Sequence, residues 1–143
     1  MKKLIVFAAV AIMAACSQAA SFKWAASGVT DGTNPLSGTA TLYAIIGGTA
    51  TVMDTQTMTA GTITQTVFSD TAFVTGTTYQ FYYEMENADG KFTSITRNSK
   101  AQATSTPTIN FGAGGTWTPA PEPTSGLLLL VGAGLLGLRR KRA

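Results

Sequence analysis

The sequence predicts an all-β protein built around a small antiparallel β-sandwich, with a signal helix before it and a short transmembrane helix after it. Threonine and aromatic residues, which favour strands, dominate the middle of the chain, where leucine is scarce. Short segments of alternating polar and apolar residues are separated by Gly, Asn and Asp, the residues that form turns. No stretch of this central part has the 3.6-residue periodicity of an amphipathic helix, so we expect strands throughout it.

Residues 1–19 have the three parts of a secretory signal peptide. Lys2 and Lys3 precede the apolar run 4–15, and small residues follow. Twelve apolar residues are too few for a transmembrane helix, which needs about 20. We therefore expect signal peptidase to cut between Ala19 and Ala20.

A second interpretation of the same end is a lipoprotein signal. Residues 13–16 read Met-Ala-Ala-Cys, and Cys16 would then become the lipid-bearing first residue. Met13 is a poor fit where leucine is usual, so signal peptidase cleavage is preferred. In that case the mature protein contains no cysteine.

Residues 20–118 form the predicted exported domain, which is near the common size of a single domain. Two hairpins are marked, one by Gly47-Gly48 and one by the turn 87–90, which we expect to end in a left-handed glycine. Trp24 is expected in the core. The predicted strands are 21–26, 38–46, 49–54, 62–69, 77–86, 91–97 and 106–111.

The strand 77–86 alternates strictly between two faces, one apolar and one polar, so one face belongs to the core and the other to solvent. The core face holds Tyr79, Phe81, Tyr83 and Met85, and the solvent face holds Gln80, Tyr82, Glu84 and Glu86. The segment before and into this strand, Phe73-Val-Thr-Gly76-Thr77-Thr-Tyr79, resembles the corner of fibronectin type III domains. That resemblance implies an immunoglobulin-like sandwich in which the tyrosine hydroxyl is tied back to the corner.

The sequence offers little for catalysis. It has no histidine, and its only cysteine is Cys16, which excludes histidine-based catalysis, His/Cys zinc sites and intrachain disulfides. Glu84 and Glu86 lie on one strand face, whereas glycosidase carboxylates flank a bond across a cleft. The turn 87–90 echoes a calcium loop, but Met85 stands at its first ligand position. We expect no enzyme, no cofactor and no metal.

Two binding functions are alternatives to a purely structural one. Tyr82, among polar neighbours, could stack on a sugar ring, which would make the domain a small carbohydrate-binding module. Thr-x-Thr pairs recur along the chain, as in some ice-binding proteins, but their spacing is irregular, and solenoids need a fixed period.

The C-terminus has a three-part order. A proline-rich spacer, 119–125, contains Pro121, Glu122 and Pro123; an apolar run, 126–138, is the predicted transmembrane helix; and the basic tail, 139–143, is a stop-transfer signal that stays in the cytoplasm. Its basic residues are Arg139, Arg140, Lys141 and Arg142. We expect Trp117, just before the spacer, at the membrane interface.

This order resembles the PEP-CTERM sorting signal of Gram-negative bacteria, which exosortases recognise. The resemblance implies an inner-membrane precursor that is processed near Pro121-Glu122-Pro123 and delivered to the cell surface or outside. It also implies surroundings of exopolysaccharide or other surface proteins. The expected function is therefore that of a non-enzymatic protein of the cell envelope or extracellular matrix.

The charge pattern agrees with this topology. The chain has ten basic and seven acidic residues, a net charge of +3, but six of the basic residues lie at the two ends. The interior has four basic and seven acidic residues, a charge of −3, so no basic surface favours nucleic acid as a partner.

Overall fold

Nine strands and one helix follow one another along residues 19–140, the part of the chain that the computed structural model describes. Most of the predicted signal peptide, including Cys16, lies outside these residues, as do Lys141 and Arg142. The elements are β1 (Ala20–Ala26), β2 (Gly38–Ile46), β3 (Thr49–Met58), β4 (Ile63–Asp70), β5 (Thr78–Asn87), β6 (Gly90–Ser94), β7 (Arg97–Lys100), β8 (Thr108–Phe111), β9 (Gly115–Pro119) and α1 (Pro123–Arg140).

The strands form two sheets, which confirms the predicted all-β fold. The smaller sheet has the order β4-β1-β8, and the larger has the order β3-β2-β5-β6-β9, with β7 also pairing with β5. All pairs are antiparallel except one: β8 runs parallel to β1. The predicted antiparallel sandwich thus contains one parallel pair, at the edge of the smaller sheet where β8 lies beside β1.

Aromatic side chains from both sheets fill the space between them. Trp24 of β1 is fully buried and its ring lies 5.7 Å from that of Tyr83 on β5; Phe22 lies 5.0 Å from Phe81. Each large apolar side chain buried in this way stabilises the fold by about 1.5–3 kcal/mol. The predicted core positions of Trp24 and of the apolar face of β5 are confirmed.

Two tight turns connect neighbouring strands of the larger sheet. Gly47 and Gly48 both have positive φ angles, 59° and 84°, as a two-residue hairpin between β2 and β3 requires. In the β5–β6 hairpin, the Asn87 side chain accepts hydrogen bonds from the amides of Asp89 and Gly90. Gly90, at the end of this turn, has a positive φ of 157°, as a predicted turn glycine should, and a β-carbon there would lie too close to Thr118 of β9.

The C-terminal part of the sandwich departs most from the predicted strands. The predicted strand 91–97 is divided between β6 and β7. At the division, the Ser94 hydroxyl oxygen accepts a 2.8 Å hydrogen bond from the backbone amide of Tyr83, which interrupts the backbone ladder between the strands. β9 has no counterpart among the strands predicted from the sequence. Trp117, expected at the membrane interface, instead lies in β9, pairs with Phe92 and packs against the core.

Candidate functional site

The predicted sorting residues lie in a short connection between the sandwich and the helix. β9 ends at Pro119, the amide of Ala120 donates a 2.8 Å hydrogen bond to the carbonyl of Asp89, and Pro121 and Glu122 are exposed. Pro123 is the first residue of α1 rather than part of a spacer. Proline suits that position, because its fixed φ is helical and the first helical amides have no partner within the helix.

The helix α1 carries a long apolar surface that the sandwich does not cover. The large side chains from Leu127 to Leu136 are all more than half exposed, from 53% to 78%. Arg139 and Arg140 are the last two residues of the helix. By length and hydropathy, no helix within residues 19–140 meets the requirements for crossing a membrane.

The predicted signal cleavage site lies at the start of β1. Ala19 is exposed, whereas Ala20 is 4% exposed and pairs with Asp70 of β4. The first residue of the predicted mature chain is thus already part of the sandwich.

The two predicted processing sites lie at opposite ends of the sandwich. β1 and β5 run in the same direction, since Phe22 and Trp24 of β1 contact Phe81 and Tyr83 of β5 in turn. Ala20, the first residue of β1, therefore lies at the end of the sandwich where β5 starts. Ala120 lies at the other end, where its amide donates a hydrogen bond to Asp89 in the hairpin that follows β5. Ten residues of β5 separate the two ends by about 30 Å.

The predicted tyrosine corner is present at the end where β1 starts. The Tyr79 hydroxyl accepts a hydrogen bond from the amide of Val74 (2.8 Å) and donates one to the carbonyl of Ala72 (3.2 Å). Beside it opens a cavity of about 560 Å³, with Ser21, Phe73 and Gln102 in its wall. The described residues of its lining provide hydroxyl and amide groups, which can form hydrogen bonds with a bound molecule.

Tyr82 lies on the outer face of the larger sheet, as predicted, but its ring is not alone. It stacks on Tyr43 of β2, with ring centres 5.0 Å apart and an angle of 12° between the planes. Each ring covers one face of the other. Burial, and then the nearby Glu84 carboxylate, raise the pKa of Tyr82.

Glu84 and Glu86 share one lysine on this outer face. Lys91 of β6 lies 2.7 Å from a Glu84 oxygen and 3.9 Å from a Glu86 oxygen. The hydrogen bond from Lys91 to Glu84 raises the pKa of the lysine. Together with Thr39, Thr41 and Tyr43, the two glutamates border a shallow depression of about 110 Å³.

Tyr43 is not among the binding residues predicted from the sequence, although the alternation of residues in β2 indicates that it lies on the outer face. In β2 the buried residues Ala40, Leu42 and Ala44 alternate with Thr41 and Tyr43, which places Tyr43 on the outer face. Its pairing with Tyr82 depends on the register between β2 and β5. Among the residues that the structure describes, no group of three or more His, Cys, Asp or Glu side chains could hold a metal ion.

Comparison with known proteins identifies one segment of the chain. Residues 119–142 match the PEP-CTERM protein-sorting motif. The matched segment starts at the last residue of β9 and includes Pro121-Glu122-Pro123, α1 and the basic tail. No curated protein matches the chain. The motif supports export of the chain, with an exosortase as its processing partner and the cell surface as its destination.

Proposed function

We propose that this chain, which carries a PEP-CTERM sorting motif over residues 119–142, is a non-enzymatic protein of the cell envelope or extracellular matrix. Its folded part is the β-sandwich, and its two ends serve export and sorting. The observation that carries the proposal is that the motif residues lead directly into α1, whose leucines from Leu127 to Leu136 are exposed rather than packed on the sandwich.

In the precursor, α1 enters the inner membrane with its basic end in the cytoplasm. The apolar run 126–138 within α1 is about 20 Å long at 1.5 Å per residue, which is shorter than a hydrocarbon core of about 30 Å, so local thinning of the bilayer has to make up the difference. Arg139–Arg142 hold the C-terminal end in the cytoplasm, and Lys2 and Lys3 hold the other end there. The domain between them is exported, and signal peptidase releases its N-terminus at Ala20.

The sorting step is tested in the native host with Glu122→Ala, which changes the central residue of the motif. We expect the variant to accumulate in the inner-membrane fraction as a larger form, whereas the wild type reaches the surface in a shorter form. Glu86→Ala is the matched control, since Glu86 is an exposed acidic residue near the same end of the sandwich. Normal surface delivery of Glu122→Ala, and of a variant with all three motif residues replaced, would contradict the proposal.

A second candidate function is contact with exopolysaccharide through the outer face of the larger sheet. The Tyr43–Tyr82 pair with the Glu84–Lys91 ion pair beside it favours this candidate, because sugar recognition combines aromatic faces with hydrogen-bonding groups. Binding of polysaccharides is measured by a glycan array and by co-sedimentation. Saturable binding that Tyr82→Ala abolishes supports this candidate, and equal binding by wild type and Tyr82→Ala contradicts it; Val67→Ala, on the other sheet, is the control.

A further inference from the structure

The last strand before the motif is firmly part of the sandwich. β9 pairs with β6 over all five of its residues, from Gly115 opposite Ser94 to Pro119 opposite Gly90. The Trp117 side chain packs against the core, and the amide of Ala120 extends the attachment to Asp89. The fold therefore holds the chain up to and including Ala120.

Two glycines show how closely β9 is fitted to its neighbours. A β-carbon added at Gly90 would lie 2.4 Å from the carbonyl oxygen of Thr118 and 2.7 Å from the Trp117 ring. A β-carbon added at Gly115 would lie 2.3 Å from the Phe92 ring. Only glycine at these two positions lets β9 approach β6 as it does.

Little chain is left between this strand and the helix. Ala120, Pro121 and Glu122 connect β9 to α1, and three residues reach at most about 10 Å. A protease holds its substrate as an extended segment. An enzyme that cuts in this connection must therefore either detach β9 from the sheet or unwind the start of α1.

The first turn of α1 is the part that yields more easily. The first four amides of a helix have no partner within it, and Pro123 has no amide hydrogen at all. Gly126, in the same turn, disfavours the helical state. Detaching β9 would instead break the β6–β9 ladder and uncover Trp117.

We infer that processing cuts a bond between Ala120 and Gly126, so that β9 stays in the mature protein and sets the limit of processing. This inference rests on the proposed function, because it assumes that the motif is processed. The peptide C–N bond breaks, and a water molecule supplies the hydroxyl group to the new carboxyl terminus and a proton to the released amine of the α1 segment.

The test is the C-terminal residue of the wild-type protein recovered from the surface of its native host, determined by intact mass and C-terminal peptide sequencing. We expect the last residue to lie between 120 and 125. A chain that ends within or before β9 overturns the inference but leaves the sorting proposal intact. A chain that continues through Ala143 contradicts the sorting proposal itself.

The role of β9 is tested with Gly90→Val, which forces β9 away from β6. We expect heterogeneous chains, some of which end before Ala120. Gly112→Val is the matched control, because a β-carbon there meets no atom within 4 Å, and it should end as the wild type does. Trp117→Ala is the milder second variant in case Gly90→Val does not accumulate. If the recovered variants share the wild-type C-terminus, β9 does not set the limit.

Discussion

Two tyrosines of β5 have hydroxyl groups in opposite situations, and removing each hydroxyl should have opposite effects on stability. The Tyr79 hydroxyl makes two hydrogen bonds to the corner before the strand, at 2.8 and 3.2 Å. The Tyr83 hydroxyl is buried, and no group among the described residues forms a hydrogen bond with it. Phenylalanine keeps both rings in the core, so each substitution isolates the hydroxyl group.

For Tyr79→Phe we expect a loss of about 2 kcal/mol in the free energy of unfolding, because each hydrogen bond contributes about 1 kcal/mol. That loss lowers the melting temperature of a domain of this size by about 8–16 °C. For Tyr83→Phe we expect no loss and up to about 1 kcal/mol of gain, since an unpaired buried polar group is removed.

The measurement is urea unfolding and thermal melting of residues 20–120, followed by circular dichroism, for the wild type and both variants. The difference between the two variants is the decisive quantity, because both remove one oxygen atom from the same strand. Equal losses for the two substitutions, or a larger loss for Tyr83→Phe, would refute the assignment of the corner and the burial of Tyr83.

Three further predictions concern charged and titrating groups. Burial raises the pKa of Tyr83 above its ordinary 10.0, so the unfolded chain loses the hydroxyl proton at lower pH than the folded chain does. The free energy of unfolding should therefore fall as the pH rises above about 10, by up to about 1.4 kcal/mol per pH unit. Urea unfolding at pH 9–11 should show a shallower fall for Tyr83→Phe than for the wild type. The buried Trp24 indole N–H donates a 2.7 Å hydrogen bond to the Asp54 carboxylate, and Asp54→Ala removes this acceptor. We expect Asp54→Ala to lower the free energy of unfolding in urea by about 1–3 kcal/mol, and Asp54→Asn, which keeps an acceptor oxygen, to lower it less. Equal losses for the two substitutions would contradict this. Glu84→Gln breaks the ion pair between Glu84 and Lys91, whose side chains are both partly exposed. The free energy of unfolding in urea should therefore change by less than about 1 kcal/mol. A larger change would show that the ion pair is stronger than its exposure implies.

The parts of the fold that the sequence predicts are those specified by local pattern. In β5, alternation over ten residues is enough to assign Phe81 and Tyr83 to the core, and the corner residues before Tyr79 predict its hydrogen bonds. Gly47-Gly48 predicts its hairpin because few other residues tolerate two positive φ angles in succession.

The parts that the sequence does not predict depend on distant partners. Gly115–Pro119 contains a glycine, a proline and one large apolar residue, a weak strand pattern, and it becomes β9 because β6 and the core accept Trp117. The parallel pairing of β8 with β1 joins segments about 85 residues apart, which no local pattern encodes.

The candidate site divides in the same way. The order of Pro121-Glu122-Pro123, apolar run and basic tail is local and readable, and the motif match over 119–142 agrees with it. The position of the motif on the β5–β6 hairpin, and its separation from Ala20 by the length of the sandwich, follow only from the topology. The Tyr43–Tyr82 stack likewise depends on the register of two strands.

We propose that both ends of the chain are export and sorting signals that processing removes, and the two termini of the mature protein decide whether this is so. The most direct measurement is the intact mass, with both termini sequenced, of the protein recovered from the surface of its native host. We expect a chain that starts at Ala20 and ends between residues 120 and 125. A chain that retains α1 through Ala143, or one that starts at a lipid-bearing Cys16, would contradict it.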